Sequence, residues 1–235
     1  MADHTLKKID TDIAHALDSL NTMGKLVLDQ LGEAMTLVEK CYLELGVSLD
    51  KLEDKVNERQ VFIDRECTQF IALRQPSASD LRTILSAMRI AAELEIVGHA
   101  ACQIGRAGER IHKGGRKPVA AMEHLAAEYR VARQMLEMAV AAVSASDIKA
   151  AATLAAEMLT LYEAFASVQA QVLATLAESQ GNNPSCLDAL GIGRTLVRVG
   201  ELAQRIAAHV VYRVTGNDVR HADLATLNQV ADSAH

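Results

Sequence analysis

The sequence predicts an all-α protein whose six helices form two pseudo-symmetric three-helix bundles. Half of the residues are hydrophobic but only 3% are aromatic and none is Trp, so Ala, Leu, Val, Ile and Met must fill the core, as in helical bundles. Apolar residues recur at alternating spacings of three and four, which is the period of amphipathic helices. The prolines, Pro76, Pro118 and Pro184, lie among polar residues or glycines where helices can end.

The first helix is indicated by an apolar stripe that runs from Ile9 to Leu45. This stretch is expected to form a single long amphipathic helix. Gly46 is expected to end it, because glycine readily adopts the conformation that closes a helix. Either Ser48 or Asp50 could then cap the second helix with a side-chain oxygen.

The second helix is expected to reach about Arg74, and the third follows the next turn. Ser77 or Ser79 is placed to cap this third helix, which extends to about Ile111. Beyond Pro118 the pattern repeats and predicts three more helices, over residues 119–144, 147–179 and 185–214.

An offset of 102 residues relates the third helix to the sixth. It matches Gly98 with Gly200, inside helical periods where glycine costs about 1 kcal/mol relative to alanine and often marks the close approach of a neighbouring helix. We therefore expect two repeats, 1–117 and 118–216, followed by a polar C-terminal tail over 217–235. The other matched pairs are Leu85 with Leu187, Ile90 with Ile192, Leu94 with Leu196, and Ile104 with Ile206.

The net charge and the hydropathy of the chain indicate where the protein is located in the cell and which classes of partner it can bind. A net charge of -6 is unfavourable for binding the phosphate backbone of nucleic acids. The first ten residues lack the apolar segment of a signal peptide, and no stretch offers the roughly 20 apolar residues that cross a bilayer. We expect a soluble, cytoplasmic protein that binds no nucleic acid and reaches a membrane only peripherally, through partners.

The cysteines show no CxxC spacing, so neither a zinc site nor a disulfide framework is indicated. They are expected to be reduced, buried and small apolar residues. The four are Cys41, Cys67, Cys102 and Cys186.

Two pairs of polar residues could meet between the second and third helices. Glu53 precedes Asn57 by four residues and Glu95 precedes His99 by four, so each pair lies on one helix face. If the two faces meet, they offer two carboxylates, an amide and an imidazole, ligands suited to Mn, Fe or Zn rather than Ca. The same spacing is also typical of a solvated charged face.

Other patterns point less clearly to chemistry. Glu109 and His112 have the Glu-x-x-His spacing of di-iron bundles, but the motif occurs once and a surface position near a helix end is expected. Gly191-x-Gly193 lacks the Lys-Ser/Thr of a phosphate loop and indicates helix packing. No Ser or Cys stands in the context of an activated nucleophile.

A basic cluster lies where the third helix is expected to end. It could meet an acidic partner or an anionic lipid surface, or it could be a solvated helix end whose charges suit the helix dipole. The cluster comprises Arg106, Arg110, Lys113, Arg116 and Lys117.

Three segments carry a more specific signal: EDKVNERQVFIDREC from Glu53, RQPSASDLRTILSAMRIAAELEIVGHA from Arg74, and VYRVTGNDVRH from Val211. In this order they resemble the PhoU family over most of the chain, and the block QPSASDLR, Gln75 to Arg82, is the most specific part. The resemblance implies two three-helix bundles related by a pseudo-twofold axis, often with a metal or small metal cluster on each. It also implies a cytoplasmic regulator that links the phosphate ABC transporter to the phosphate-sensing histidine kinase and restrains starvation signalling when phosphate is plentiful.

The first half departs from the family pattern. Where the family has Glu-Arg-Ile-Gly-Asp, this chain has Glu95-Ile-Val-Gly-His99, so the Arg is lost and an imidazole replaces a carboxylate. A Mn, Fe or Zn ion is accordingly expected in the first half only, with Glu53, Asn57, Glu95 and His99 as its ligands.

The second half departs further. The corresponding motif runs from Val197 to Glu201 and lacks its first carboxylate. On the fifth helix, Glu157 is followed by Leu161 or Tyr162 where the family has a second acidic residue. No multinuclear metal cluster is expected there.

The leading interpretation is a non-enzymatic adaptor that contacts the transporter ATPase and the sensor histidine kinase. Asp80, Arg82 and the acidic face of the first half are its candidate contacts. A metalloenzyme with a carboxylate and His site in the bundle is the alternative from another class, and a divergent PhoU-like protein with another partner is a third. A homodimer is expected, since twofold homo-oligomers are the commonest.

Overall fold

In the computed structural model, which describes residues 2–40, 42, 44–113, 120–179 and 183–233, these residues form seven α-helices and no β-strand. The predicted all-α class is therefore confirmed. The helices are α1 (Ala2–Lys40), α2 (Leu45–Arg74), α3 (Ala78–Lys113), α4 (Met122–Ala145), α5 (Lys149–Glu178), α6 (Pro184–Thr215) and α7 (Leu224–Ser233).

The first six helices form two bundles of three. Helices α1, α2 and α3 pack on one another, and so do α4, α5 and α6. Contacts of α3 with α6 and of α1 with α4 join the bundles, so buried side chains from both form one continuous core. The expected pair of three-helix bundles is confirmed, whereas the expected boundary at residues 117 and 118, with Pro118, lies outside the described residues.

The first two helices of each bundle share one pattern of burial, with an offset of 105 residues between equivalent positions, whereas α3 and α6 are related by the offset of 102 residues. Offsetting the buried α2 residues Leu49, Val56, Ile63 and Cys67 by 105 positions gives Leu154, Leu161, Val168 and Val172 of α5, which are also buried. The same offset relates buried α1 residues to buried α4 residues. These are Leu20, Met23, Val27, Gln30, Leu31, Ala34, Leu37 and Val38 in α1, and Leu125, Glu128, Ala132, Met135, Leu136, Ala139, Ala142 and Val143 in α4.

Gly98 and Gly200 lie where the third helix of each bundle crosses its two partners. A Cβ atom on Gly98 would lie 2.9 Å from Gln30 Oε1 and 3.2 Å from Val56 Cγ1. On Gly200 it would overlap the Leu161 side chain and lie 3.3 Å from Met135 Sδ. Because Met135 and Leu161 are the equivalents of Gln30 and Val56, the close approach predicted from the matched glycines is confirmed in both bundles.

The break between the first two helices comes earlier than predicted. α1 ends at Lys40 rather than near Leu45, and Gly46 lies in the first turn of α2, where it faces Glu109 of α3. Gly46 therefore does not end a helix, and a larger residue at this position would require the Glu109 side chain to move aside. Ser48 and Asp50 lie inside α2 and do not cap it.

In each bundle, a side chain of the third helix caps the C-terminal end of the first helix. His112 Nε2 lies 2.9 Å from the carbonyl oxygen of Val38, close to the end of α1, and His112 is half-buried rather than at the surface as expected. In the second bundle, Arg213 Nη2 donates to the carbonyl oxygen of Val143 at 2.8 Å, close to the end of α4. Val38 and Val143 are equivalent positions, so both bundles satisfy the same otherwise unpaired carbonyl.

The stretch expected to be a polar tail contains helix α7, which the sequence pattern did not predict. This helix packs on α5 through its buried residues Leu227 and Ala231. Leu227 and Val219 line a small cleft together with Ala151 of α5 and Ala208 of α6. None of the described helices combines the length and the apolarity that a bilayer span requires.

Candidate functional site

Glu53 and His99 meet across the contact between α2 and α3. Glu53 Oε1 lies 3.0 Å from Nδ1 of His99, and the two side chains are 20% and 50% exposed. The i, i+4 spacing puts each predicted pair on one face of its own helix, and the packing of α2 on α3 brings Glu53 opposite His99. The pair therefore lies at the surface of the first bundle, open to solvent on the His99 side.

Arg106, about two turns beyond His99 along α3, balances the charge of this site. Its Nη2 lies 3.5 Å from Glu53 Oε2 and 3.9 Å from Asp50 Oδ1. The guanidinium thus lies between two carboxylates of α2. Such half-exposed pairs contribute about 0–1 kcal/mol each to stability, so the arrangement mainly fixes the local charge pattern.

Beneath this surface, the polar contacts continue into the core. Gln30, which is fully buried on α1, donates from Nε2 to Sγ of Cys102 at 3.0 Å. Burial, and next the charge of Glu53, raise the pKa of the Cys102 thiol to about 12. Cys102 is therefore a neutral thiol at physiological pH and is neither a reactive nucleophile nor a ready metal ligand.

The residues of this site do not fit a closed metal centre. Across the described ranges, no three His, Cys, Asp or Glu side chains lie close enough together to hold one metal ion. Asn57 is exposed on α2 and Glu95 is half-buried on α3, while Arg106 already supplies the positive charge beside Glu53. Zinc sites generally have at least three protein ligands, which this arrangement does not bring together. Binding of the expected Mn, Fe or Zn ion stays a prediction.

The equivalent surface of the second bundle is largely apolar. The 105-residue offset places Met158 at the position of Glu53, so Glu157, which the sequence suggested for this role, lies one residue away from it. Met158 and Val197, the latter equivalent to Glu95, are buried, at 6% and 8% exposure. Ala208 stands where Arg106 lies in the first bundle. The polar site is therefore a property of the first bundle.

The basic cluster at the end of α3 is partly neutralised. Arg110 Nη2 lies 2.8 Å from Oδ1 of Asp188 on α6, and Arg106 is paired as described above. The side chain of Lys113 and the whole of Arg116 and Lys117 lie outside the described residues. For the described part of the cluster, these ion pairs favour a structural role.

The described cysteines are buried free thiols, as expected. Burial raises the pKa of Cys67 to about 12 and also raises the pKa of Cys186. Cys41 lies outside the described residues. Gly193 also behaves as expected, since a Cβ there would lie 2.9 Å from both Glu128 and Phe165, which indicates tight helix packing.

Glu128 is a buried carboxyl group that the sequence pattern did not reveal. Its side chain on α4 is fully buried, and neither carboxyl oxygen has a hydrogen-bond partner among the described residues. Burial raises its pKa to about 8. The internal offset could have drawn attention to it, because the equivalent residue of the first bundle is the apolar Met23.

Comparison with known proteins identifies the family. The family model of the PhoU domain matches the chain twice, over residues 20–107 in the first bundle and 127–210 in the second. The two matches together span well over half of the chain. The chain belongs to the PhoU family.

PhoU proteins of known sequence and structure align with nearly the whole chain. It is 30% identical over 219 residues to the phosphate-specific transport system accessory protein PhoU of Serratia marcescens, covering 93% of this chain and 89% of that protein. The crystal structure of PhoU from Pseudomonas aeruginosa superimposes with a TM-score of 0.80 at 24% identity, over 92% of this chain and 100% of that one. For the phosphate transport system regulatory protein PhoU from Streptococcus pneumoniae the TM-score is 0.81 at 22% identity, over 90% and 99%. These structures agree with the fold described above.

Two of the PhoU-like sequence segments meet in the folded chain. Arg82, from the Gln75–Arg82 block, is half-buried against the turn at Gly216, where φ is +80° and a Cβ would lie 3.7 Å from Arg82 Cζ. Arg89 lies over the ring of Tyr212, 5.4 Å from its centroid. Arg82 thus helps to order the end of α6. Its predicted role in partner binding stays a prediction, and so does that of Asp80, which accepts a 2.8 Å hydrogen bond from Ser77 at the start of α3.

An ion pair between the two PhoU bundles, with a buried histidine beside it, was also missed from the sequence. Glu93 of α3 places Oε2 3.1 Å from Arg205 Nη2 and Oε1 3.9 Å from His209 Nε2, both on α6. The Glu93 and His209 side chains are only 14% and 4% exposed. The sequence did offer one sign of this contact, since His209 stands inside an apolar stretch of α6. Its acidic partner Glu93 could not be identified from the sequence, because it lies more than a hundred residues earlier on α3.

Proposed function

We propose that this chain is a non-enzymatic regulator of phosphate uptake and phosphate-starvation signalling. In this role it acts as an adaptor between the ATPase of the phosphate ABC transporter and the phosphate-sensing histidine kinase, on the cytoplasmic side of the membrane. It reaches the membrane through these partners and binds no nucleic acid. The observation that carries the proposal is the match of the PhoU domain to both bundles, together with full-length relatives named as phosphate transport accessory proteins.

The first-bundle surface around Glu53 is our candidate for the partner contact. Asp50, Glu53, His99 and Arg106 are clustered there, and the Asp50, His99 and Arg106 side chains are between half and three-quarters exposed. Exposed charges of both signs favour recognition of a complementary charged surface and speed its encounter. The second bundle has apolar residues at three of the four equivalent positions, Ala155, Met158 and Ala208. One molecule therefore presents two different faces, which suits a protein with two partners.

The test is affinity capture of the tagged full-length chain from phosphate-replete cells. We expect the transporter ATPase and the sensor kinase to be recovered, and deletion of the gene to derepress phosphate-starvation genes in high phosphate. The double variant Asp50→Asn, Glu53→Gln should lower recovery of one partner by about tenfold, the typical effect of removing interface hot spots. Glu201→Gln is the matched control, since Glu201 is the second-bundle equivalent of His99 and is 39% exposed.

Two outcomes would redirect the proposal. Recovery of unrelated partners, with no phosphate phenotype on deletion, would favour a PhoU-family regulator that has acquired another partner. This function is our second candidate because the second-bundle surface is altered. Stoichiometric bound metal, with a catalytic activity lost in Glu95→Gln, would instead indicate the metalloenzyme.

A further inference from the structure

The small cleft between α5, α6 and α7 is lined by two arginines. Arg205 of α6 and Arg220, in the turn that precedes α7, line it together with the half-buried Gln204. Among the described residues, no Asp or Glu lines this cleft, which we call the α6–α7 pocket. Its apolar walls are formed by Ala151, Ala208, Val219 and Leu227.

The first bundle has a pocket at the equivalent place, and its charge is opposite in sign. That pocket is lined by the carboxylates of Asp50 and Glu109 and by the guanidinium of Arg106. Two arginines without a carboxylate are therefore not required by the bundle fold and are a property of the second half of the chain. The matched lining residues are Gly46 with Ala151, Cys102 with Gln204, and Arg106 with Ala208.

Each arginine of the α6–α7 pocket is held by a carboxylate that lies outside the pocket. Arg220 Nη2 lies 2.6 Å from Oδ2 of Asp218, and Arg205 Nη2 lies 3.1 Å from Oε2 of Glu93. The contact with Glu93 leaves Nε and Nη2 of Arg205 without a hydrogen-bond partner among the described residues. Because a guanidinium has five N–H donors, these carboxylates position the arginines and leave donors for a ligand.

Positive charge is in excess around this pocket, although the whole chain has a net charge of -6. Hydrogen bonding from Arg220 and, to a smaller extent, the charge of Arg89 lower the pKa of Asp218, so a third guanidinium is close by. Three arginines thus surround two carboxylates, Glu93 and Asp218. Two guanidiniums that line one small pocket repel each other, and an anion between them would relieve this repulsion.

The size of the pocket selects a small ion. Its volume is about 30 Å³. A single water molecule needs about 10–15 Å³, so the space suits one small ion and not an organic molecule. The Arg205 and Arg220 side chains are 36% and 39% exposed, so an ion can enter from solvent.

The lining groups favour an oxyanion that carries two negative charges. Guanidinium groups bind phosphate-type oxyanions through pairs of N–H donors, and two of them balance a doubly charged ion. The side-chain carbonyl of Gln204 can accept a hydrogen bond from the protonated oxygen of hydrogen phosphate. Sulfate has no such proton to donate, so phosphate is the better match.

We propose that the α6–α7 pocket binds one inorganic phosphate ion. Arg205 and Arg220 bind its charged oxygens, and Gln204 recognises its protonated oxygen. The bound ion connects α6 to the turn before α7, so the phosphate concentration acts directly on this part of the molecule. The choice of phosphate rests in part on the proposed function, in which the chain responds to the supply of this ion.

Calorimetric titration of the full chain with inorganic phosphate tests the proposal, in a phosphate-free buffer at constant pH and ionic strength. We expect one ion per chain and weaker binding of sulfate. The double variant Arg205→Gln, Arg220→Gln should weaken phosphate binding by about tenfold or more, because it removes both charged donors. Arg198→Gln is the matched control and should change nothing, since Arg198 is an exposed arginine of α6 that pairs with Glu201 away from the pocket.

Two further variants separate ligand binding from a structural role of the arginines. Gln204→Glu is nearly isosteric and should abolish phosphate binding, because the new carboxylate takes the place of the anion between the arginines while the chain stays folded. Glu93→Gln should have the opposite effect and strengthen binding by about threefold, because it removes a competing negative charge. Thermal unfolding of each variant checks that the fold is retained.

Absence of phosphate binding by the unchanged chain would overturn the proposal. So would binding that Gln204→Glu leaves intact, or binding of sulfate as tightly as phosphate. Binding of O-phosphoserine without binding of inorganic phosphate would overturn it as well, since the phosphoryl group would then come from a larger molecule. These outcomes differ from failure of the proposed function, because the titration needs only purified protein, whereas the function is tested by capture of cellular partners.

Discussion

Single buried polar residues distinguish two bundles that otherwise share one core pattern. At one pair of equivalent positions the first bundle has Met23 and the second has Glu128; at another the first has Gln30 and the second has Met135. Gln30 is satisfied in part by Cys102, whereas Glu128 has no partner among the described residues. The cost of polarity in the core therefore falls mainly on Glu128.

Replacing Glu128 should stabilise the protein in a way that depends on pH. Its folded-state pKa of about 8 lies above the ordinary value of 4.5. Between these two values the unfolded chain has lost a proton that the folded chain retains, so the carboxyl disfavours folding increasingly as pH rises. Below about pH 4.5 both states are protonated and this penalty is absent; above about pH 8 it is constant.

We therefore expect Glu128→Gln to raise the free energy of unfolding by about 1–3 kcal/mol at pH 8, and by much less at pH 5. Glu128→Met, which introduces the residue found at the equivalent position of the first bundle, should raise the free energy of unfolding further, because it removes the buried polar group altogether. Urea unfolding at a series of pH values measures both. Glu137→Gln, an exposed position on α4, is the control, and a gain of equal size at every pH would contradict the assignment.

Arg106 is expected to keep divalent metals from the Glu53 site. Removing its guanidinium leaves Asp50 and Glu53 without their positive partner beside His99. We expect Arg106→Ala to bind Mn²⁺ or Zn²⁺ at least tenfold more tightly than the unchanged chain, since a metal would then supply the missing charge. Calorimetric titration with each metal alone measures this.

Arg106→Lys keeps the charge and is the matched variant for that titration. It should bind metal no better than the unchanged chain. If the unchanged chain already binds one metal ion per molecule, and Glu53→Gln abolishes this, Arg106 does not exclude metal.

At the scale of helices, glycines set how closely α3 and α6 approach their partners. A Cβ on Gly108 of α3 would lie 2.8 Å from Leu37 Cδ2 and 3.1 Å from the backbone Cα of Val38 on α1. Backbone atoms cannot move aside as a flexible side-chain end can. Gly191 of α6 has nothing within 4 Å of the corresponding point.

These two glycines should respond to alanine with opposite signs. Gly191→Ala should raise the free energy of unfolding by about 1 kcal/mol through helix propensity alone. Gly108→Ala gains the same propensity, but the collision with α1 should outweigh it and give a net loss of about 1–3 kcal/mol. Chemical denaturation of both variants tests this, and stabilisation by Gly108→Ala would show that α1 and α3 can separate at little cost.

At the scale of the whole molecule, the two bundles share a core and should unfold together. The α3–α6 contact carries the ion pair of Glu93 with Arg205, with His209 beside it, as well as apolar packing. Exposing this interface in a half-unfolded molecule would leave a large apolar surface in water. We therefore expect one calorimetric transition for the full chain.

Coupling between the bundles gives a sharper test of the same idea. Because Glu128 lies in the second bundle, the stabilisation by Glu128→Gln should also slow hydrogen exchange of the most protected α2 amides in the first bundle, by about tenfold for each 1.4 kcal/mol. Slower exchange confined to α4, α5 and α6, or two separate transitions, would mean that the bundles unfold independently.

Of the seven helices in the described part of the chain, the order and type of six could be predicted because they depend on local patterns. The three-four spacing and the glycine and proline breaks mark amphipathic helices without reference to the rest of the fold. The sequence reading failed at Gly46, whose role depends on Glu109 of another helix, and at α7, which is short and is stabilised by packing on α5. In both cases the deciding contact is distant in sequence.

The sequence by itself determined the all-α class, the repeat and the family, and it placed Glu53 with Asn57, and Glu95 with His99, on one face of their respective helices. Only the tertiary structure decided that Arg106 lies beside Glu53, that Met158 rather than Glu157 is the equivalent of Glu53, and that Glu128 is buried without a partner. The physical reason is that the periodicity of one helix fixes which residues share a face. The register between helices, and with it the burial and charge of each side chain, follows from packing across the whole core.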